Sequence, residues 1–527
     1  MPTTLSFKDK IDKPDWRPLS ITPIANAAGM QLVCDLRNDA SRDPWLWGFA
    51  ATTYLLKYLT PNDDWIQTQA FSAVGGAIAA GSFAIFCPSH GPTGVVGGTP
   101  TTTSFTLAAL PNSAQVGENA LADNGSGVGY RIRVIGSGSG GSGKVEERTI
   151  IANTAGATPV VTLNAPLTFT PLTTDRYELL SGRVYLLGSG TTAAGFFRAF
   201  DVATGTLSGN LSITNLGATI AIDTGGVMLD ELYVPHNRLP GQGFFGVLTA
   251  TAMAAGTLTG HSSGGDAGVL ANEYRNFQIR IVEDTTTPTA VGQRRKIASH
   301  TAGASPVYTL ASNWTVTPSA TAKYVIELNN DLLLWTNNFV VTYSYAAGGF
   351  AADASWATAA ASGGATQYAN PPAAHGAGVC AESLFSIVPD AAKNARHSFI
   401  YRIRGGGSAV FERFNIAGGA NGVWSTLTWY GNQLGQNMTT GTWSAHDPIG
   451  SQGKYFYVCV NGTQRIIRFN MLTCQFEPWA YIRFAQGAAT VGCKGATAAF
   501  LDNGVVVPIL YLWRSTGQEV FDCILQR

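Results

Sequence analysis

What this sequence lacks most is charge. Only 13% of its 527 residues are Asp, Glu, Lys or Arg, about half the usual share for a soluble globular protein. The 33 basic residues balance the 33 acidic ones, and no basic run exceeds Arg294-Arg295-Lys296. The electrostatic footprint of a nucleic-acid binder is therefore missing. Cysteine is sparse as well: seven residues, at 34, 87, 380, 459, 474, 493 and 523, with no C-x-x-C pair. An odd, scattered set reads as buried free thiols in a reducing compartment, not a disulfide framework. The seven histidines (90, 236, 261, 300, 375, 397, 446) show no i, i+4 pairing and no cysteine neighbour, so no metal site and no cofactor are expected. The opening "MPTTLSFKDKIDKPDW" puts charges where a signal peptide needs an apolar run. One uncharged stretch, "FSAVGGAIAAGSFAIFC" (71–87), is rich in Gly and Ala and slightly short for a bilayer. Buried strands are the better reading of it, and no membrane span is expected.

What is present is glycine, 61 residues of it, together with aromatics spread along the whole chain and long Thr/Ala/Ser stretches. That composition fits β-rich architecture with many tight turns. The length exceeds one ordinary core and predicts two to four domains.

Two repeats organise the chain. In the longer one, "RTIIANTAGATPVVTLNAPLTFTPLTTDRYEL" (148–179) returns as "RKIASHTAGASPVYTLASNWTVTPSATAKYVI" (295–326). The offset is a constant 147 residues, with 15 identities in 32 positions. The offset also pairs "YRIRVI" (130–135) with "FQIRIV" (277–282), so each copy is a compact β-module of about 80 residues. In the first, strands are expected at 104–110, 130–135, 146–153, 159–164 and 175–180.

The shorter repeat is a hairpin ending in an aromatic next to Asp or Asn, often followed by Trp. Phe414-Asn415 precedes Trp424, Phe469-Asn470 precedes Trp479, and Phe200-Asp201 and Phe521-Asp522 close two further copies. Looser copies end at Trp65 and Trp356. Such hairpins at intervals of about 40–55 residues are the mark of β-propeller blades. The aromatic is expected to fill the layer between blades, and the Asp or Asn to cap the following turn. Small-residue segments such as 217–223, 376–381 and 487–493 suit the crowded innermost strands. The last copy lacks its fourth strand, and "KPDWRPLSIT" (13–22) is an orphan strand of that type.

The expected fold is therefore all-β: about six propeller blades closed by the N-terminal strand, with two related sandwich- or barrel-like modules inserted between the first and second strands of consecutive blades. The expected boundaries are propeller at 1–98, first module at 99–182, propeller at 183–243, second module at 244–329 and last blades at 330–527.

Several motifs invite catalytic readings that their context opposes. "GHSSG" (260–264) puts Ser262 at a nucleophile-elbow position, but its surroundings are Gly/Thr-rich, and at the same offset the sister module has "SAQVG" (113–117). "GSGSGGSGKV" (136–145) has Walker-like spacing from Gly138 to Lys144, yet Val145 replaces the metal-binding hydroxyl and a strand follows. Glu146-Glu147 and Asp63-Asp64 are adjacent acids, which point to opposite faces of a strand or sit solvated in turns. Trp429-Tyr430 with Asn432 and Gln433 could stack a sugar, but propeller aromatics more often pack between blades. No catalytic, cofactor or metal residue is assigned.

The run "KVEERTIIANT…VTLNAPLTFTP…DRYELLSGRVYLLGSGTTAAGFFRAFDVATG" resembles sequence modules of tailed-bacteriophage structural proteins, in neck, tail and spike components. The resemblance covers chiefly residues 100–210 and, more weakly, 250–345. It implies a non-enzymatic virion component in a symmetric ring, like the propeller-bearing tail nozzle of some short-tailed phages. Its partners would be further copies of itself and other tail or neck proteins, with possible host-surface contact. It would assemble in the host cytoplasm. The alternative is a receptor- or glycan-binding tail spike, and the third reading is a glycan-degrading propeller enzyme.

Overall fold

A computed structural model of the chain describes residues 16–25, 30–34, 46–50, 54–59, 63–70, 82–87, 91–108, 110, 116–122, 130–136, 141, 144–187, 197–207, 225–228, 247–260, 269–327, 331–336, 339–344, 368–373, 376, 380–386, 397–427, 437–439, 441–447, 455–460, 462–463, 465–470, 475–481, 494–502, 505–514 and 518–525. Among them the regular elements are strands, apart from a 3-10 turn at Pro288–Ala290. No helix among the described residues is long and apolar enough to cross a membrane. Part of the uncharged 71–87 stretch forms a strand at Phe83–Cys87; residues 71–81 lie outside the described ones.

After β1 (Trp16–Pro18), a four-stranded meander follows: β2 (Gln31–Cys34), β3 (Leu46–Ala50), β4 (Tyr54–Leu59) and β5 (Asp64–Ala70). Next comes β6 (Phe83–Cys87). Six further strands then close into a barrel: β7 (Thr93–Gly97), β8 (Ser104–Ala108), β9 (Arg131–Gly136), β10 (Lys144–Asn153), β11 (Val160–Leu163) and β12 (Arg176–Leu180). β13 (Arg183–Leu187) returns to pair with β6, and β14 (Phe197–Asp201) and β15 (Thr206–Leu207) complete a second four-stranded sheet. The barrel takes in β7, ahead of the boundary expected between 98 and 99.

The plan then recurs. β16 (Gly225–Met228) precedes seven strands of one sheet: β17 (Leu248–Thr249), β18 (Ala252–Ala254), β19 (Thr257–Thr259), β20 (Gln278–Glu283), β21 (Arg294–His300), β22 (Val307–Leu310) and β23 (Lys323–Glu327). β24 (Asp331–Thr336) pairs back onto β16, with β25 (Phe339–Ser344) beside it in a three-stranded sheet. Two more four-stranded meanders follow, β26 (Cys380–Ser386) to β29 (Val423–Thr426) through β27 (His397–Ile403) and β28 (Phe411–Asn415), then β30 (Trp443–Asp447) to β33 (Gln475–Tyr481) through β31 (Tyr455–Cys459) and β32 (Arg465–Asn470). β34 (Lys494–Asp502), β35 (Val505–Trp513) and β36 (Val520–Ile524) form the last sheet. Its fourth strand is β1, antiparallel to β36 with Trp16 opposite Cys523.

Five four-stranded blades thus stand in a propeller-like arrangement. The first strands of successive sheets lie side by side in a closed order: β2 beside β6, then β16, β26, β30, β34 and back to β2. A four-stranded meander cannot bury both of its faces alone, so the layers between sheets carry the core. Trp47, Phe49 and Leu55 meet Phe86, Val184 and Phe200 across one such layer. Tyr58 and Trp65 meet Tyr511 and Trp513 across another, and Trp443, Tyr455 and Tyr457 meet Leu512, Phe521 and Trp16 across a third. In a fourth, Phe469 lies 4.8 Å from Phe411 and 5.1 Å from Tyr401, ring centre to ring centre. Each such buried aromatic contributes about 1.5–3 kcal/mol by removal from water.

The aromatic of the hairpin repeat fills these layers at Phe200, Phe469 and Phe521, whereas Phe414 packs in a core shared with the seven-stranded sheet. The acid or amide beside it has a more varied role. Asn415 Oδ1 does cap its turn by accepting from the Ala417 N–H at 3.1 Å. Asp201 and Asp522 instead receive arginines directly across the ladder, Arg183 Nε at 2.8 Å and Arg17 Nε at 3.0 Å, and Asn470 donates to Glu477. The same cross-strand device recurs as Arg402–Glu412, fully buried, and Arg468–Glu477. Scarce charge is placed inside sheets as matched pairs, which offsets the cost of burying each ion. Trp356 and the segment 217–223 lie outside the described residues.

The candidate functional site: paired barrel modules

The opening repeat of the sequence is a structural duplicate down to individual hydrogen bonds. Arg148 donates through Nε to Pro166 O, through Nη1 to Glu147 O and through Nη2 to Glu146. Arg295 does the same to Asn313 O, Arg294 O and Gln293 Oε1. The residue at 146 or 293 also accepts the N–H of Thr168 or Thr315. The shared "TAGAxPV" phrase builds a turn in each copy. Thr154 Oγ1 and Thr301 Oγ1 accept from Val160 N and Val307 N, both at 2.9 Å. Gly156 and Gly303 take left-handed backbone, φ 123° and 106°, which a Cβ would strain. Strand order agrees as well. The barrel runs β10-β11-β8-β7-β12-β9, and the second sheet runs β21-β22-β19-β18 and β17-β23-β20, with β18 and β17 in the place of β7.

Upstream of residues 122 and 275 the offset changes from 147 to 153. Leu107 N donates to Pro159 O at 2.9 Å, and its counterpart Gly260 N donates to Pro306 O at 2.7 Å. "GHSSG" therefore corresponds to "LAALP" (107–111), and the comparison with "SAQVG" is corrected. A length difference between 122 and 130 in the first module and 275 and 277 in the second accounts for the shift. Ser262 itself lies outside the described residues.

β10 of the first module approaches β20 of the second, and between them opens a cleft of about 490 Å³, a volume in the range of small-molecule sites. Lys144, Glu146, Arg148 and Thr168 line one wall, and Arg280, Val282, Glu283 and Lys323 the other. Polar and apolar groups line the cleft in similar measure, and two ion pairs lie within its walls. Arg148 meets Glu146 at 2.7 Å, Lys323 meets Glu283 at 2.8 Å, and Lys144 Nζ donates to Thr168 Oγ1 at 3.2 Å.

Of the residues singled out by sequence, the fold brings Lys144, Glu146 and Glu147 to this cleft. The Gly-rich segment before Lys144 joins β9 to β10 as a hairpin, with Gly136 opposite Lys144. Glu146 is held by Arg148 and Thr168, whereas Glu147 turns to Arg133 Nε at 2.9 Å, so the two acids serve different partners. Asp63, at φ 47°, accepts from Tyr58 Oη at 2.7 Å and from Ser20 N at 3.0 Å. Asp64 Oδ1 accepts from Trp65 N. Trp429, Tyr430, Asn432 and Gln433 lie outside the described residues, as do His90, His236, His261 and His375. Cys34, Cys87, Cys459 and Cys523 are buried. Among the described residues no three of His, Cys, Asp and Glu converge as metal ligands.

The second module also seats on the β26–β29 sheet. Phe277 and Tyr274 share a core with Ile400, Phe414 and Ile416. Asn276 Nδ2 donates to Ile416 O at 2.6 Å, and Lys296 Nζ to Ala420 O at 3.1 Å. Burial there pushes the Lys296 amine below its ordinary range. Sequence reasoning missed this seat because Asn276 and Ile416 are 140 residues apart and neither belongs to a motif.

No known protein family matches the sequence. No curated protein matches it either. Among solved structures, similarity is found to a phage phi92 endosialidase, at 10% identity over 98% of this chain and 69% of that one, with a TM-score of 0.26. So low a score supports no conclusion about fold or activity.

Proposed function

We propose that this chain is a non-enzymatic structural subunit of a bacteriophage virion, a tail or neck ring component that works through protein–protein interfaces. In this reading the three-stranded sheet β16-β24-β25 counts as a sixth blade. The barrel and the seven-stranded sheet are then modules inserted between the first and second strands of consecutive blades.

The observation that carries the proposal is the paired modules themselves. Two copies of one β-module, the first a closed barrel and the second a seven-stranded sheet of matching strand order, pack against each other. In this reading they leave equivalent positions of neighbouring blades. Their shared arginine clamps and TAGAxPV turns are spent on holding shape, with the polar groups engaged inside each module. Duplicated rigid modules on one rim suit repeated contacts with neighbouring subunits. Low overall charge supports the same reading, since interface cores are depleted in charged residues. The resemblance of residues 100–210 to phage structural modules supplies the biological setting.

Mass measurement of the purified chain, together with a glycan array, tests this. A homo-oligomer of defined copy number, or assembly with a tail or neck protein, is expected, without saturable sugar binding. Saturable binding to a surface polysaccharide would instead identify a spike, and release of oligosaccharides from it an enzyme.

A further inference from the structure

The two modules solve one packing problem with different chemistry. In the first, Asn153 at the end of β10 accepts the Leu121 N–H through Oδ1 at 2.8 Å and donates through Nδ2 to Thr154 O at 2.9 Å. In the second, the equivalent residue at the end of β21 is His300. Its Nε2 accepts the Tyr274 N–H at 2.9 Å, and its Nδ1 lies 2.9 Å from Thr301 O. The frame around the two is identical. Asn119 and Asn272, at φ 56° and 63°, accept from the N–H of 153 and 300 at 3.1 and 3.0 Å.

The hydrogen bonds fix the imidazole's state. A backbone N–H can only donate, so Nε2 must offer its lone pair and the neutral ring carries its proton on Nδ1. The amide of Asn153 makes the corresponding pair of bonds at any pH. Protonated His300 cannot, because Nε2–H would face the Tyr274 N–H, donor against donor, in a site where the side chain is only 4% exposed.

The groups around His300 do little to welcome a positive charge. The 270–276 turn supplies Glu273, Tyr274 and Arg275, β22 supplies Tyr308, and β23 supplies Tyr324. The Tyr274 ring stacks on His300 at 5.7 Å, and Tyr308 lies 5.1 Å away and 6.5 Å from Tyr324. Glu273 is engaged by Leu270 N and Tyr274 Oη. Burial presses the imidazole toward its neutral form; Thr301 O opposes it by less, and Arg275 adds a smaller push in the same direction as burial.

The turn that His300 holds is also the module's seat. Tyr274, Asn276 and Phe277 make the contacts to Ile416, Gly419 and the β27–β28 core. We propose that His300 is an acid-sensitive latch: protonating it releases the Tyr274 N–H, loosens the 270–277 turn and unseats the second module from the β26–β29 sheet. The first module, pinned by Asn153, is unaffected.

Amide hydrogen exchange on the full chain, corrected for intrinsic exchange rates, tests this between pH 7.5 and pH 5. Protection of 272–277 and 416–419 falls by about tenfold or more, while that of 119–122 holds. His300→Asn, which installs the first module's own residue, abolishes the loss, and Asn153→His transfers it to 119–122. Equal behaviour of the two modules in the wild-type protein overturns the proposal whether or not the variants fold. So does an undiminished loss in a folded H300N protein.

Discussion

Arg133 Nη1 donates to Glu178 Oε2 at 2.6 Å, with the two side chains 2% and 0% exposed. Glu147 takes the same guanidinium through Nε. In the second module the counterparts of Arg133, Glu147 and Glu178 are Arg280, Arg294 and Val325. The duplicate fold therefore stands without this triad, which marks it as a specialisation of the first barrel.

Glu178→Val takes one of the two carboxylates from the Arg133 guanidinium, and loss of that buried charged bond should destabilise the protein by about 1.5–3 kcal/mol. Adding Arg133→Met leaves Glu147 only Arg131 at 3.7 Å and should not recover the loss. Denaturant unfolding of the single and double variants measures both.

The ring's closing contact rests on few residues. Trp16 is buried against Phe521, Cys523 and Tyr455, and Arg17 pairs with Asp522. Trp16→Ala should cost about 3–5 kcal/mol, and a chain lacking residues 1–22 should melt lower. An unchanged melting transition in the shortened chain would refute closure by β1.

Tryptophans of one sheet rest on glycines of the next. A Cβ on Gly48 would lie 2.7 Å from the Trp513 ring, and one on Gly495 would collide with Trp443. Gly48→Ala and Gly495→Ala should each destabilise by about 1–3 kcal/mol through overpacking. Gly205→Ala is the control for backbone strain alone, since its φ is +65° and the space around it is open. Thermal melts of the three variants separate crowding from strain.

Acid should act twice at the 270–276 turn, with opposite signs. His300 is held below its ordinary value, so the unfolded chain takes its proton first. Stability is full above about pH 6.5 and is lost as pH falls toward the folded value. Glu273 is held above its ordinary value by burial, so there the folded protein takes the proton first. Its contribution returns as pH falls from that raised value to about 4.3. A melting temperature followed against pH should dip in weak acid, with H300N removing the dip and Glu273→Gln the partial recovery.

The sequence made the blades legible because Phe200, Phe414, Phe469 and Phe521 recur at fixed places in their hairpins, and a layer between sheets needs a large apolar ring there. It made the duplication legible because no gap interrupts 148–179 and 295–326. It misplaced the counterpart of "GHSSG", since a loop-length change upstream shifts the offset without leaving a local mark. The latch was hidden for another reason. Asn153 and His300 look like an ordinary mismatch until the N–H groups of Leu121 and Tyr274, distant in sequence, are seen to need the same acceptor.

The most direct test of the central claim is electron cryo-microscopy of the purified assembly. The proposed function predicts a closed symmetric ring with the barrel modules at contacts between subunits or with a tail or neck protein. Monomeric particles whose barrels touch no neighbour, and which join no partner ring, would contradict it.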